Sequence, residues 1–396
     1  MKRILVLLLS VALALSMAAC ATAPEQDNKD KVSSENNSKP VDQDANPQPD
    51  EPPVDQKPED DEPEVTYQKL EGKITGASVF NDGYALVCVN GNENTTYCID
   101  KKGNIIFQID KDFAVSGTIY QKIENGHLST TEGIYDMTGK LTRPEDVSAS
   151  QFYDVAFSGG YILVEKVTAD YSSTKKEIGV MNFAYEWVVE PSEEIYTAIE
   201  KDLSHLTAMN HQSYYYEGYI YFAYSDCYLN VTTGEILETI GQNAPSTEWT
   251  YSSKGKFGDI KGNVMLDLTV HDNIKLISGT KFVNGKAPVM FYNAEAKTWF
   301  FTLVDEEGNF QFEPVQVKDM SVVNKVIYDG RYVLVSDHSY AENRIQCYNA
   351  QGELVGTYYN QTSVRSDLNE GVILISSGAN TNPKREYFNP DFTPLF

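Results

Sequence analysis

The stretch Asp100-Lys-Lys-Gly103-Asn104 sets two ammonium groups beside a glycine, between apolar flanks. That is the make-up of a ligand-binding loop, a phosphate loop for instance, and equally of a tight turn. Only recurrence along the chain decides between the two. Other chemistry-bearing residues are scattered. Histidines stand at 127, 205, 211, 271 and 338, and the step from His205 to His211 does not put both rings on one helical face, as a paired zinc site would need. No G-x-S-x-G elbow, H-E-x-x-H, P-loop or G-x-G-x-x-G occurs, and no calcium loop or S-x-D-x-G-x-x-W box. The sequence therefore names no catalytic residue, no metal ligand and no cofactor-binding residue, and it implies no cofactor. Carboxylates are abundant, 57 Asp and Glu against 32 Lys and Arg. Two of them facing one another would suffice for acid–base hydrolysis of a glycosidic bond, but no spacing singles out a pair.

Two further groups bear on chemistry. Beyond Cys20 the chain has Cys88, Cys98, Cys227 and Cys347. Cys88 and Cys98 flank the turn-rich NGNENTT, so a disulfide across a hairpin is one reading. Cys98 and Cys347 hold the same place in their repeats, five residues before a turn glycine, which favours small buried apolar positions and free thiols, and free thiols are the default for Cys227 and Cys347. The stretch SYYYEGYIYFAYSDCY is crowded with tyrosines between 214 and 228. Such rings suit a recognition surface, and they suit strands packed between sheets as well.

The elements that must hold these residues are repeats. The Asp–Gly turn at 100–103 is echoed at Asp136-Met-Thr-Gly139, Asn230-Val-Thr-Thr-Gly234, Asp305-Glu-Glu-Gly308 and Asn349-Ala-Gln-Gly352. The lysines are replaced while the Asp or Asn and the Gly stay, so this is turn chemistry. A second signature lies upstream: Phe80-Asn-Asp82-Gly83, Ile123-Glu-Asn125-Gly126, Phe157-Ser-Gly159-Gly160, Tyr215-Tyr-Glu217-Gly218, Phe282-Val-Asn284-Gly285, Ile327-Tyr-Asp329-Gly330 and Leu368-Asn-Glu370-Gly371. Each glycine opens a strand-like run such as YALVCV or RYVLVS. The unit is about 40 residues with four short strands, which predicts an all-β fold, a β-propeller of seven or eight four-stranded blades. The irregular stretch 236–279 is either a degraded eighth blade or an insertion, and the spacing favours eight. One segment has helical spacing, with Ile195, Ile199, Leu203, Leu206 and Met209 on one face. It predicts a short helical insertion whose apolar face packs on the propeller rim, with partner recognition as the alternative.

The first 66 residues are of another kind. Lys2 and Arg3 precede sixteen largely apolar residues that end in small ones, a secretory signal too short to span a bilayer comfortably. Residues 21–65 hold no Phe, Tyr or Trp, half of the sixteen prolines, and fourteen acids against four lysines, which predicts an extended, unfolded tether. The chain thus divides into a signal peptide at 1–19, a tether at 20–66 and a repeat domain at 67–396. The repeat domain keeps a negative excess, 43 acids against 26 bases, which excludes nucleic acid as a partner and disfavours direct docking to anionic lipid.

LSMAAC at 15–20 resembles the lipobox of bacterial lipoproteins, which implies cleavage before Cys20, lipid attachment at Cys20 and an extracytoplasmic domain held to the cell membrane. FNDGYALV (80–87) and FVNGKAPV (282–289) resemble the first half of the unit of WG-repeat proteins, and EGIYDMTG (132–139) and IGVMN (178–182) the second half, without the tryptophan of the naming dipeptide. That resemblance implies an interaction-type repeat domain and brings no catalytic residues. LNVTTGEIL (229–237) is similar to the turn of quinone-enzyme propellers and their scaffold relatives, but their blade-docking tryptophan is missing. The reading is a membrane-anchored binding module for protein or cell-envelope polysaccharide. Alternatives are a glycan-acting hydrolase of the envelope and an envelope assembly scaffold.

Overall fold

The structure is a computed structural model. It describes residues 66–396 apart from 93, 115–116, 131, 144–151, 154–159, 171–172, 207–213, 217, 223, 239–255, 259–263, 269–273, 276–281, 294, 318–322, 339–342, 361–363 and 379–383. Alternating apolar runs broken by Asp/Asn–Gly turns fold as antiparallel meanders, and eight sheets follow one another along the chain. They cover 74–109, 123–142, 152–192, 214–238, 256–267, 274–316, 323–360 and 364–388, blades 1 to 8 below. Six have four strands; blade 5 has two described strands, and blade 8 has three plus a bridge from Phe388 to Pro394. The stretch 236–279 thus holds a sheet of its own at 256–267, and the choice between seven and eight sheets falls to eight.

Among the described residues, seven of the eight junctions between blades bury an apolar cluster, all but that of blades 4 and 5. Distinct clusters join blades 1 and 2 (Leu86, Cys98, Ile123, Leu128), 2 and 3 (Ile134, Ile162, Val164), and 3 and 4 (Leu163, Val180, Ile220, Leu229). Others join 5 and 6 (Leu268, Val289), 6 and 7 (Phe301, Val335), and 7 and 8 (Leu334, Ile373). A further cluster joins blade 8 back to blade 1, with Leu374 and Tyr387 against Phe80 and Val87. First-to-last packing closes the ring, and the fold is a β-propeller. First strands adjoin around the axis: Ala77 bridges Thr118 in parallel, and Lys325 of blade 7 reaches Asp367 of blade 8.

The upstream signature forms the turn between first and second strands. In blade 1, Asn81 and Tyr84 exchange both backbone hydrogen bonds, and Asp82 and Gly83 have φ of 51° and 81°. That is the two-residue turn whose twist matches a hairpin, and it needs residues that tolerate positive φ. The signature does a second job between blades. The Asn81 amide donates to the Ile123 carbonyl at 2.6 Å, and the Asn369 amide donates to the Phe80 carbonyl at 2.6 Å. The Asp82 carboxylate accepts the Asn125 N–H, Glu370 accepts the Gly83 N–H at 3.0 Å, and Asp329 accepts the Gly371 N–H at 2.7 Å. Each acid is both a turn residue and a latch on the next blade's turn.

The Asp100 turn is likewise structural. Gly103 N–H donates to Asp100 O at 3.0 Å, and the Asp100 carboxylate accepts the N–H groups of Lys102 and Asn104. Lys101 pairs with Glu370 at 3.1 Å, across the seam that closes the ring. The glycine of each such turn lies against the preceding blade. A Cβ on Gly139 would sit 3.1 Å from Phe107, on Gly234 2.8 Å from Val189, on Gly308 2.7 Å from Leu266, and on Gly352 2.7 Å from Phe312. In blade 1, Gly103 meets Phe396, beyond the last strand of blade 8. Blades 3 and 8 have no glycine there: Tyr185 and Phe392 take the position at φ of 62° and 63°. The Tyr185 hydroxyl accepts the Ile134 N–H at 3.1 Å and donates to the Thr142 carbonyl, both in blade 2. Phe392 packs on Tyr358 of blade 7.

The helix Glu193–Leu206 stands between blades 3 and 4. Ser192 caps it, accepting the Glu194 N–H at 3.1 Å, with Glu193 and Glu194 in the first turn where the helix dipole favours acids. Ile195, Ile199 and Leu203 are buried against both blades, so the packing role is the one seen. The Leu206 side chain and Met209 lie outside the description. Asp202 is buried and accepts the N–H groups of Tyr224 and Ser225 at 3.0 and 2.7 Å, pinning the helix to a loop of blade 4.

The docking role of the turn glycines is separable from their backbone role. Gly285→Ala, with φ of 71° and open space around it, should cost about 1–2 kcal/mol in urea unfolding from the left-handed backbone alone. Gly352→Ala, with φ of 81° and a Cβ pressed on Phe312, should cost about 1–3 kcal/mol more. Equal losses would remove the docking role.

Candidate binding face

In an antiparallel meander the turn between second and third strands lies at the end opposite the latched turns. It is therefore free of the belt just described. In blade 6 this hairpin is long: Lys286–Asn293 pairs with Thr298–Asp305 over its full length. Its base is core, with Ala287, Val289, Phe301 and Leu303 buried. Its outer part is aromatic on both faces. Tyr292 lies opposite Trp299 with ring centroids 5.5 Å apart, edge to face. On the other face Phe291 stacks on Phe300 at 5.8 Å and on Phe310 at 6.2 Å. Tyr292 and Phe310 are each 37% exposed, and Phe291, Trp299 and Phe300 are half-buried. Rings held rigid by cross-strand pairing and left open to water suit stacking on sugar rings or on side chains of a partner. Sequence reading passed over this hairpin because its turn, at Asn293-Ala-Glu-Ala-Lys297, has no glycine. Lys297 takes φ of 52° instead. The readable signal was the alternation FYNAEAKTWFF.

The tyrosine-rich stretch divides. Ile220 and Phe222 are buried on one face of the blade 4 strand Tyr219–Phe222, and Tyr219 and Tyr221 are half-buried on the other. Tyr228 is fully buried, with its ring 4.9 Å from Tyr221, whose hydroxyl donates to Asp226 at 3.2 Å. Tyr224 is exposed. The side chains of Tyr214, Tyr215 and Tyr216 lie outside the description. Blade packing thus takes most of the described rings.

Of the histidines, His127 is placed: its Nδ1 is 2.7 Å from the Asn125 carbonyl, and its ring lies 5.3 Å from Phe183. His211 and His271, and the side chains of His205 and His338, lie outside the described residues, as does Cys20. Among the described residues no group of three or more His, Cys, Asp or Glu could hold a metal ion, and no helix is long and apolar enough to cross a membrane.

All four cysteines of the propeller are free and buried, so the Cys88–Cys98 disulfide reading is corrected. Residue 98 pairs in register with Leu86 rather than Cys88, and the Cys88 Sγ contacts Thr96 and Asp112 at 3.4 Å. Burial pushes the Cys88 thiol up to about 11 and those of Cys98, Cys227 and Cys347 up to about 12. Thiolates are the reactive form, so these groups are inert at neutral pH.

No family model and no curated protein matches the chain. Solved structures it is similar to are propellers of varied function. KlHsv2 with loop 6CD replaced by a Gly-Ser linker is 12% identical over 81% of this chain and 93% of its own, with a TM-score of 0.36. Prolyl oligopeptidase B from Galerina marginata is 12% identical over 82% of this chain and 50% of its own, at 0.37. The β-propeller domain of the trilobed protease from Pyrococcus furiosus is 9% identical over 59% and 50%, at 0.22. Likenesses this remote carry nothing about activity or partners. The propeller assignment stands on the succession of antiparallel sheets and on the packing of the last sheet against the first.

The thiols make a pH prediction. Their folded pKa values lie above the ordinary thiol value of about 9, so the native state holds more protons than the unfolded state between about pH 9 and 12. Their contribution is complete below pH 9 and is lost as pH rises through that window. Urea midpoints should therefore be flat in this respect up to pH 9 and fall above it. At pH 8 the four propeller cysteines should react with a thiol reagent only after urea is added; labelling in the native state would refute their burial.

Proposed function

We propose that this chain is a lipid-anchored recognition module that binds cell-envelope polysaccharide through the open face of its propeller. One observation carries the reading: the aromatic hairpin of blade 6, where Tyr292 and Trp299 present paired rings beyond the packed core. The interlocked turns at the other end supply the rigidity that keeps ordering costs of binding low. The lipobox-like LSMAAC supports lipid attachment at Cys20, and the aromatic-free, proline-rich residues 21–65 support a spacer between membrane and propeller. The location is then extracytoplasmic, at the membrane surface, where glycans of the envelope are within reach.

Two measurements test this. Cys20→Ala should release the protein from the membrane fraction, and retention would overturn the lipid anchor. Purified envelope glycans should bind the wild-type chain in calorimetry, and Tyr292→Ala with Trp299→Ala should weaken that binding by tenfold or more, since each ring–sugar stack is worth about 1 kcal/mol or more. Unchanged binding by the double variant would remove the hairpin from the site. New reducing ends appearing during incubation would replace binding alone with the hydrolase reading.

A further inference from the structure

The outer strand of a propeller blade is an edge, and an exposed edge pairs with other chains unless something blunts it. Among the described outer strands, most are blunted. In blade 1, Ile105–Ile109 begins beside residues 68–70, with the Ile105 N–H donating to the Gln68 carbonyl at 2.8 Å and a bridge from Lys69 to Asn104. Leu141–Thr142 of blade 2 and Val315–Gln316 of blade 6 are two residues long. Trp187–Ser192 of blade 3 carries Glu190 and Pro191, and Ile236–Glu238 of blade 4 is short and ends in an acid. In blade 8 the strand Lys384–Phe388 opens with Lys384, Arg385 and Glu386, and Pro394 bridges its end at Phe388.

Blade 7 is the exception among them. Its outer strand Leu354–Asn360 has seven residues with no charge and no proline, and the uncharged run continues to Val364. The strand ends the sheet order of its blade, and among the described residues no backbone bond or bridge covers the outer side of 354–359. Apolar side chains stand in water along it: Leu354 is 54% exposed, Val355 37% and Tyr359 64%. The Arg344 guanidinium lies 5.0 Å from the centroid of the Tyr359 ring and holds it in place. Gly356 to Asn360 pair with Asn343–Cys347 in unbroken register, so the bulge between Cys347 and Tyr348 leaves that part of the edge regular.

We infer that this strand pairs with the same strand of a second copy of the chain, antiparallel about a two-fold axis. Near such an axis each residue meets itself or a close neighbour, so an edge shared by two chains of net charge −25 must itself be uncharged, as this one is. The strand matches itself in reverse. With the axis at Tyr358, Thr357 lies opposite the second copy's Tyr359, a β-branched residue against an aromatic one, and Gly356 lies opposite the second copy's Asn360. Antiparallel pairing closes at two copies and joins two four-stranded blades into one sheet. It also turns the second propeller end for end. The two open ends then point in opposite directions, and a dimer bridges whatever those ends bind. The pairing itself does not depend on what that is. One strand is a small contact beside the surface a permanent dimer needs, so the association is concentration-dependent.

The test is sedimentation equilibrium of the full mature chain, kept soluble by Cys20→Ala. The chain should pass from monomer to dimer as concentration rises. Tyr359→Lys, which sets a charge on the exposed edge, should weaken the dimer about tenfold or more. Thr357→Pro should do the same, since proline cannot pair at that edge. Val167→Lys, at an exposed apolar position of blade 3, is the control and should leave the equilibrium unchanged. Thermal unfolding of Tyr359→Lys should match the parent chain at a concentration where both are monomeric, which separates lost pairing from lost fold. A monomer at every concentration overturns the inference and leaves an extended segment of another protein to fit the edge. A dimer that survives both substitutions places the contact elsewhere and overturns it equally. Glycan binding by the blade 6 hairpin enters neither result, so the two readings fail separately.

Discussion

Blades in a ring must be held at a fixed distance, and here that distance is set by how closely one blade's turn sits on its neighbour. The turn after the third strand presents a residue with positive φ directly to the preceding blade. Glycine at 103, 139, 234, 308 and 352 lets the backbone itself be the contact. Where the gap is filled from the turn side instead, the position goes to Tyr185 or Phe392 and the neighbour offers backbone or an aromatic ring. Close packing leaves no intermediate choice, because a Cβ at most of the glycine positions would overlap atoms under 3 Å away.

The second belt, of latches between first turns, follows from the same geometry. A two-residue turn with both φ positive suits Asn, Asp and Gly, and Asn and Asp also carry groups that reach a neighbouring backbone. Asp82 and Glu370 use that coincidence: the carboxylate that the turn leaves over is spent on the next blade's N–H. Closure of the ring concentrates such bonds. Glu370 with Lys101, Asn369 with Phe80, and the buried Tyr387 hydroxyl donating to Ser78 at 2.6 Å all cross the seam between blades 8 and 1. Among the described residues no strand is exchanged across this seam, and side chains do there what a shared strand would otherwise do.

These two belts explain what was legible in the sequence. Positive φ restricts residue choice sharply, so the turns that build the ring repeat visibly, and the propeller and its unit length could be read from them, while the helix was read from its own apolar spacing. The substitutes escaped for the same reason in reverse. Tyr185 and Phe392 sit where a pattern built on glycine looks for glycine, and only Asn182 and Asn389 three residues earlier mark the turn. The aromatic hairpin escaped because Lys297 turns it without a glycine. The tyrosine stretch drew notice by density, yet its described rings mostly serve blade packing, since alternation in a strand decides burial and a count of rings does not.

Ring-building residues and the residues proposed for binding therefore occupy opposite ends of the blades. At the latched end nearly every polar group is assigned to a turn or to a neighbouring blade, and a ligand there would have to displace bonds that hold the ring closed. At the other end the described hairpins are tied down more sparsely, by Glu132 to Lys111 in blade 2 and by Tyr224 and Ser225 to Asp202 in blade 4, so hairpin length and chemistry can vary more freely. Blade 6 uses that freedom to extend its strands until the aromatic pairs at 291–300 clear the core. The repeats are legible because they are constrained. A site placed at the unconstrained end need not repeat, which is why the turn at Asp100 reports the architecture and the residues that recognise a ligand stand elsewhere.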